Sequence, residues 1–437
     1  MDTKENLKKL ITEWMEFEIP NDILMRKFDR RLLAGKKILA IIGPRRAGKT
    51  YYCFQIIKEL LLDIPKENIL YINFEDERLY PLVGDELTLL LESYLELVTP
   101  QKNKKIYFFL DEVQNIKFWS KWARRISEKN PNIKLILTGS SSKLLSREIA
   151  TELRGRSLSF MVYPLSFGEF LKFKKIDFES KTILYGKKRG QIKKAFNEFL
   201  EQGGFPETLS ETLKQKVLQE YYSTMFYSDI VERYDVKNTA LLEDFLKMEI
   251  NSFSSMASIS KMEKVLLSMN RKASKTTLSK YLSYAKSVFL LFELSVYDYK
   301  LKQQMRHLKK IYAVDTGLLN AIRFSFSDDY GRLLENLVFL EFLKAGKKVF
   351  YFRGNGECDF LLKDGKKISA AFQVTKSLKD YDTRQREIKG LLEALEKYKL
   401  DEGIILTEDE NEEFEEAGKK IKVLPVWFWA CGIAGKD

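Results

Sequence analysis

Apolar residues in this chain gather in short dense runs set between basic and polar stretches. "KILAII", "NILYINF", "KIYFFLD" and "NIKLILTG" are each followed by small or polar residues. Apolar positions at three- and four-residue spacing follow the first of them, in "TYYCFQIIKELL". Runs without alternation read as strands buried on both faces, and strands interleaved with helices predict a parallel sheet. From Leu171 to Asp235 the pattern is mostly helical, interrupted at Gly203-Gly204 and Pro206. A helix ending near Asn270, a turn over Arg271 to Ser274 and a second helix with apolar Leu278, Leu282 and Ala285 come next. Strand-like "VFLLFELSVY" and basic "KLKQQMRHLKK" follow. The last part predicts strands over "KVFYF", "FLLK" and "ISAAFQV", with a turn at Asp364-Gly365. "VLPVWFWACGIAG" is too short to span a bilayer and reads as a buried strand.

The 437 residues suffice for two to four cored domains. The expected division is a helical segment over 1–30, a nucleotide-binding core over 31–170 and a helical lid over 171–235. A winged helix over 236–300 and a C-terminal α/β domain over 301–437 complete it. A net charge of +12 suits a polyanion such as DNA, and equally a lysine-rich solvated surface. Three cysteines without a CxxC pair argue against a disulfide framework or zinc site and fit a reducing, cytoplasmic compartment. One histidine, His307, excludes a multi-histidine metal cluster and receives no chemistry here. The N-terminus "MDTKENLKKL" lacks a signal-peptide core, and no apolar run reaches the roughly 18 residues of a membrane span.

Gly43-Pro44-Arg45-Arg46-Ala47-Gly48-Lys49-Thr50, running into Tyr51, is GxxxxGK[ST] between an apolar strand and a helical pattern. Backbone N–H groups of such a loop cradle phosphates at a helix N-terminus. Lys49 would reach the β- and γ-phosphates of ATP, and the Thr50 hydroxyl would serve Mg2+. The strand "KKIYFFLDEVQN" ends in Asp111-Glu112. Asp111 would hold the metal's water shell, and Glu112 would orient and deprotonate an attacking water. "NILYINFEDER" brings Asn73, Glu75 and Asp76 to the end of a further strand. Thr138 and Ser140 close another, where a hydroxyl could sense the γ-phosphate or, for Ser140, cap a helix. Arg154 and Arg156 flank a glycine before a further apolar strand, and either could approach a nucleotide in its own or a neighbouring subunit.

These residues, with Leu165-Ser166-Phe167-Gly168-Glu169-Phe170, resemble an AAA-type P-loop ATPase of the prokaryotic, especially archaeal, group. Members pair the ATPase with a C-terminal domain of unknown function. The resemblance spans nearly the whole chain and implies ATP binding and hydrolysis, an α/β/α core and a helical lid.

Helix, turn, basic helix, then hairpin is the order of a winged helix. Lys272, Lys275, Thr276, Thr277 and Lys280 would face DNA phosphates and base edges, unless the element only packs against protein. The final segment resembles the restriction-endonuclease-like fold. By that pattern Glu335 and Asp359 match the metal-holding acids, while Gln373 stands where a Glu is wanted and Thr375 where a Lys is wanted. With a DGKK loop, Asp359 would oppose Phe372, putting Asp359 and Gln373 on opposite faces; a one-residue shift would unite them. Lys376 would point away. The expectation is a nuclease site that has lost its chemistry. Three functions stay open: an ATPase switch or motor on DNA, a signalling ATPase acting on a protein partner, and an ATP-dependent nuclease. An oligomer is compatible with each, and no membrane association is expected.

Overall fold

The structure, a computed structural model, describes residues 3–80, 82–84, 86–140, 153, 155–178, 184–323 and 329–432. Contacts divide the chain into two compact units, Met1–Tyr163 and Pro164–Asp437. The finer five-part division is not resolved at this level.

In the first unit, β1 (Ile38–Ile42), β2 (Ile69–Asn73), β3 (Ile106–Asp111), β4 (Ile133–Gly139) and β5 (Ser157–Met161) form a parallel sheet in the order β2-β3-β4-β1-β5. Every residue of β1, β3 and β4 is buried, which is why those segments carry continuous apolar runs. The register aligns strand ends: Asn73 lies beside Asp111, and Ile41 and Ile42 beside Thr138 and Gly139. The polar residues that close the runs therefore collect along one edge. The first helix, Thr3–Glu16, is not a separate segment. It buries Leu7, Ile11 and Trp14 in this core, and the Trp14 indole donates to the Ile69 carbonyl at 2.6 Å.

In the second unit the helix Phe167–Phe173 opens with a capping box. Ser166 Oγ accepts from the Glu169 N–H at 3.2 Å, and the Glu169 carboxylate accepts from the Ser166 N–H at 2.8 Å. This gives Ser166 and Glu169 of the "LSFGEF" stretch a physical role. The helical stretch expected up to Asp235 is present as Arg189–Gln202, Lys214–Thr224 and the π-helix Met225–Glu232, broken at Gly203-Gly204. Helices Ile259–Ser268 and Lys275–Ser287 bracket the expected turn, and Ser274 caps the second through the Thr277 N–H at 3.1 Å. Leu278, Leu282 and Ala285 are buried, as the spacing requires.

β6 (Ser255–Ala257), β7 (Leu291–Leu294) and β8 (Lys309–Ala313) form an antiparallel sheet in the order β6-β8-β7. A boundary drawn at residue 300 would cut through this sheet. Beyond it, β9 (Lys348–Arg353), β10 (Glu357–Asp364), β11 (Lys367–Val374), β12 (Glu402–Thr407), β13 (Glu412–Glu416) and β14 (Lys419–Pro425) form a mixed sheet in the order β13-β14-β12-β11-β10-β9. The segment expected as a terminal strand ends as one at Pro425, and Val426–Ala430 is helical.

Among the described residues no helix is long and apolar enough to cross a membrane.

Candidate functional site

Gly43 closes β1 with φ +154°, and a Cβ there would meet the Val162 carbonyl oxygen at 2.0 Å. Only glycine lets the loop leave the strand so close to its neighbour. Gly48 caps the helix Lys49–Leu60 in the left-handed region, so the Gly43–Thr50 loop runs straight into a helix N-terminus. Within the loop the Ala47 N–H donates to the Pro44 carbonyl at 3.3 Å, and Arg45 reaches Glu75 at 3.2 Å. Arg46 has φ 65°, and Tyr51 is exposed.

Lys49 is 4% exposed. A buried ammonium needs partners, and it has the Glu112 carboxylate at 3.1 Å and the Pro44 carbonyl at 3.3 Å. Burial pushes the Glu112 carboxyl up, but Lys49 and a hydrogen bond from Gln114 override it and hold the group below the usual carboxylate range. Asp111 accepts from the Thr50 hydroxyl and from the Tyr71 hydroxyl, each at 2.7 Å, and from Thr138 Oγ1. The same Thr138 Oγ1 accepts from the Glu112 N–H at 2.8 Å. Burial and the Asp111 charge push the Tyr71 phenol far up, so it stays a donor. The parallel register thus brings Lys49, Thr50, Asp111, Glu112 and Thr138 together. Thr50 beside Asp111 is the oxygen pair a phosphate-bound Mg2+ takes.

Tyr71 and Gln114 were not singled out in the sequence. Neither belongs to the phosphate-loop or Asp-Glu signature, and only the pairing of β2 with β3 carries Tyr71 to Asp111. The structure does not bring Arg156 to this group. Its carbonyl accepts from the Ile38 N–H at 2.8 Å, at the start of β1 and the opposite end of the sheet from Gly43. Its guanidinium pairs with Glu128 at 2.9 Å. The arginine precedes its strand, and in a parallel sheet that end faces away from the phosphate loop. Arg154, and the residues after Ser140 on which its expected role as a helix cap depends, lie outside the described residues.

A P-loop strand–loop–helix in this parallel sheet defines an AAA-type P-loop protein. Consistent with this, residues 35–171 match the model of an AAA domain, and residues 193–329 and 330–429 match two domains of unknown function. The uncharacterized protein MJ1544 of Methanocaldococcus jannaschii is 38% identical over 446 residues, covering 98% of this chain and 96% of that protein. This chain belongs to its family. An uncharacterized Haemophilus influenzae protein is 32% identical over 354 residues, covering 79% of this chain and 85% of its own. Among solved structures, the Aeropyrum pernix ORC1 protein in complex with DNA aligns with 73% of this chain and 91% of its own, at 12% identity and a TM-score of 0.31.

The second unit holds another acidic cluster. β10 and β11 pair Phe360 with Phe372, which sets Asp359 opposite Gln373; of the two registers left open by the sequence, the shifted one holds. The hairpin turns over Gly365-Lys366, with a register shift after Leu362. Asp359 and Gln373 are joined: the Asp359 N–H donates to the Gln373 amide oxygen at 3.1 Å. The other end of that amide donates to Glu387. Glu335, on the helix Tyr330–Lys344, does approach. Between the acids sits Lys310 of β8, 3.0 Å from Glu335, 2.7 Å from Glu357 and 2.8 Å from Asp359. Burial would lower the Lys310 ammonium, but Asp359 and Glu335 outweigh it and hold it charged. Burial and Asp359 push Glu335 up against Lys310's pull. The Mg2+ implied by the nuclease resemblance does not fit. The Lys310 ammonium occupies the space between the acids, and among the described residues no group of acids is placed to hold a metal ion. Thr375 supplies no charge, and its N–H donates to the Leu406 carbonyl at 3.0 Å. Lys376 is exposed, with its ammonium 5.8 Å from the Tyr330 ring centre. The cation comes from Lys310, the second of two adjacent lysines that open β8, and only the fold shows which of the two is buried.

On the helix Lys275–Ser287 and its preceding turn, Lys272, Lys275, Thr276 and Lys280 are exposed and Thr277 is half-buried. Lys275 lies 3.9 Å from Glu263, and the Thr277 hydroxyl is 3.0 Å from that of Ser274.

Proposed function

We propose that this protein is a Mg2+-dependent ATPase that uses hydrolysis as a switch or motor on DNA. The observation that carries the reading is the convergence of Lys49, Thr50, Asp111, Glu112 and Thr138 at one edge of the parallel sheet, where the Gly43–Thr50 loop meets a helix N-terminus. Loop N–H groups from Gly43 to Thr50 would bind the phosphates. Thr50 and Asp111 would hold Mg2+, which supplies neutralising charge on the phosphate oxygens. Lys49, drawn to phosphate, would release Glu112. That carboxylate, relieved of its ion pair, can take a proton from the attacking water. Thr138 fixes both acids through one hydroxyl. For the remainder we assign 31–170 as the ATPase core, 171–235 as the lid, a winged helix that begins at 236 and keeps the β6-β8-β7 sheet whole through Ala313, in place of an end at 300, and the rest of 301–437 as a nuclease-like domain without nuclease chemistry.

Support for DNA comes from the +12 charge and from the exposed Lys272, Lys275, Thr276 and Lys280 on a capped helix after a short turn. A regulatory ATPase that docks a protein on this helix pair is the second reading, favoured by the exposed apolar side chains of Val265, Leu267 and Met269. Cleavage of DNA is disfavoured by Lys310.

The test is phosphate release from ATP with and without duplex DNA, at low and moderate salt, with Glu112→Gln as blank. Salt-sensitive stimulation absent in the variant supports a DNA-coupled ATPase. Turnover indifferent to DNA sinks the DNA reading and points to a protein partner. Mg2+-dependent nicking abolished by Asp359→Ala would restore the nuclease.

A further inference from the structure

Glu112 sits on an unusual backbone. Its φ of 51° and ψ of 46° place a non-glycine residue in the left-handed region, a conformation that persists when its surroundings impose it. The Thr138 hydroxyl imposes it from one side by accepting the Glu112 N–H at 2.8 Å. The carboxylate is then held by two groups. Lys49 takes Oε1 at 3.1 Å, and the Gln114 amide donates from Nε2 to Oε2. A carboxylate accepts only, so Nε2 must face it and the Gln114 carbonyl must face away. That Oε1 is buried without a partner among the described residues. The amide nitrogen also lies 3.4 Å from the Ser140 hydroxyl, beyond the end of β4. The short 3-10 turn Val113–Asn115 therefore returns an amide onto the acid two residues before it.

We infer that Gln114 is a positioning residue for ATP hydrolysis, acting through Glu112. This rests on the ATPase reading proposed above. When phosphate draws Lys49 away, Glu112 loses the partner on Oε1, and Gln114 alone still anchors its side chain. Without that anchor the carboxylate is free to follow Lys49 or to turn toward solvent. A general base works only within hydrogen-bond reach of the proton it removes. Gln114 thus sets how often Glu112 stands ready, without touching the nucleotide.

The full-length protein is assayed for ATP binding with a fluorescent ATP analogue and for turnover by phosphate release. Gln114→Met matches the shape without the amide, and Gln114→Asn keeps the amide but falls short of the carboxylate. Each is expected to lower kcat by about 10- to 100-fold, a part of what a general base contributes, with nucleotide Kd and KM within about 2-fold. In a Glu112→Gln background, Gln114→Met is expected to add no more than about 2-fold, because residues acting as a unit are non-additive. Wild-type kcat in both single variants overturns the inference. So does a kcat loss that multiplies undiminished in the double variant, which would mark a general structural defect. If Gln114→Met does not fold, the Asn variant alone decides by its kcat against Kd. Absence of turnover in the wild-type protein, with ATP bound, instead overturns the ATPase reading and this inference with it.

Discussion

Lys49 and Lys310 are both buried and both face acids, and they do so differently. Lys49 meets one carboxylate, Glu112, at the mouth of a loop whose backbone is shaped for phosphate, and its neighbour Asp111 is held by three hydroxyls and no cation. Lys310 meets three carboxylates, Glu335, Glu357 and Asp359. The first arrangement keeps Asp111 on hydroxyl partners, beside Thr50, where a metal and a phosphate can enter. The second has a resident counter-ion in the cluster. The lesson is that acidic residues at matching positions do not make a metal site until the nearby cations are counted.

The contrast predicts that the C-terminal cluster governs stability and the N-terminal one governs turnover. Lys310→Met strands buried carboxylates and is expected to cost about 3–5 kcal/mol, read as a lower urea midpoint for the second unit. Adding Glu335→Gln to Lys310→Met should recover part of it. A loss under about 1 kcal/mol, the scale of an exposed pair, would show that the cluster is solvated. Glu112→Gln is expected to lower ATP turnover by about 10²- to 10⁴-fold, with a smaller fall of the urea midpoint than Lys310→Met because Lys49 keeps the Pro44 carbonyl and the glutamine oxygen as acceptors. A smaller effect on turnover would remove Glu112 from the role of base.

A buried acid outside both clusters sharpens the comparison, because it has no lysine. Glu249, on the helix Thr239–Asn251, is fully buried with neither oxygen partnered among the described residues. Burial, then the Glu293 charge, push it up to about 8. Its folded state holds a proton that the unfolded state releases near the ordinary carboxylate value. Its contribution is therefore fully present at low pH and falls as pH rises from the ordinary carboxylate range to about 8. Glu249→Gln is expected to flatten that fall and to stabilise the protein by at least about 1 kcal/mol at pH 9. Urea titrations at pH 6 and pH 9 decide it. The smallest effect is expected on the surface. Lys272→Ala and Lys280→Ala should each lower the salt slope of DNA binding by about 0.9 if each meets a phosphate. Unchanged slopes in a binding titration would take this helix off the DNA.

The phosphate loop was legible because its spacing is local. Gly43, Gly48, Lys49 and Thr50 are fixed by one loop, and a buried strand announces Asp111 and Glu112 by ending in them. Gln114 stood two residues from Glu112 and still carried no signal, since only a folded turn shows which way its amide points. Arg156 looked available from its neighbours in sequence, but strand direction places it at the far end of the sheet. The one-residue register that joins Asp359 to Gln373 depended on a two-residue turn and a bulge that composition does not specify.

The sequence by itself determined the class of the first unit, its parallel sheet, its phosphate loop and the paired acids. These follow from short-range spacing and from apolar runs that must be buried on both faces. Tertiary structure decided what each charge faces. Lys310 is far along the chain from Asp359, and Tyr71 from Asp111, and only strand pairing and packing bring them to 2.8 and 2.7 Å. Electrostatics acts through space at these distances, so whether an acid awaits a metal or already has its cation is settled by the fold.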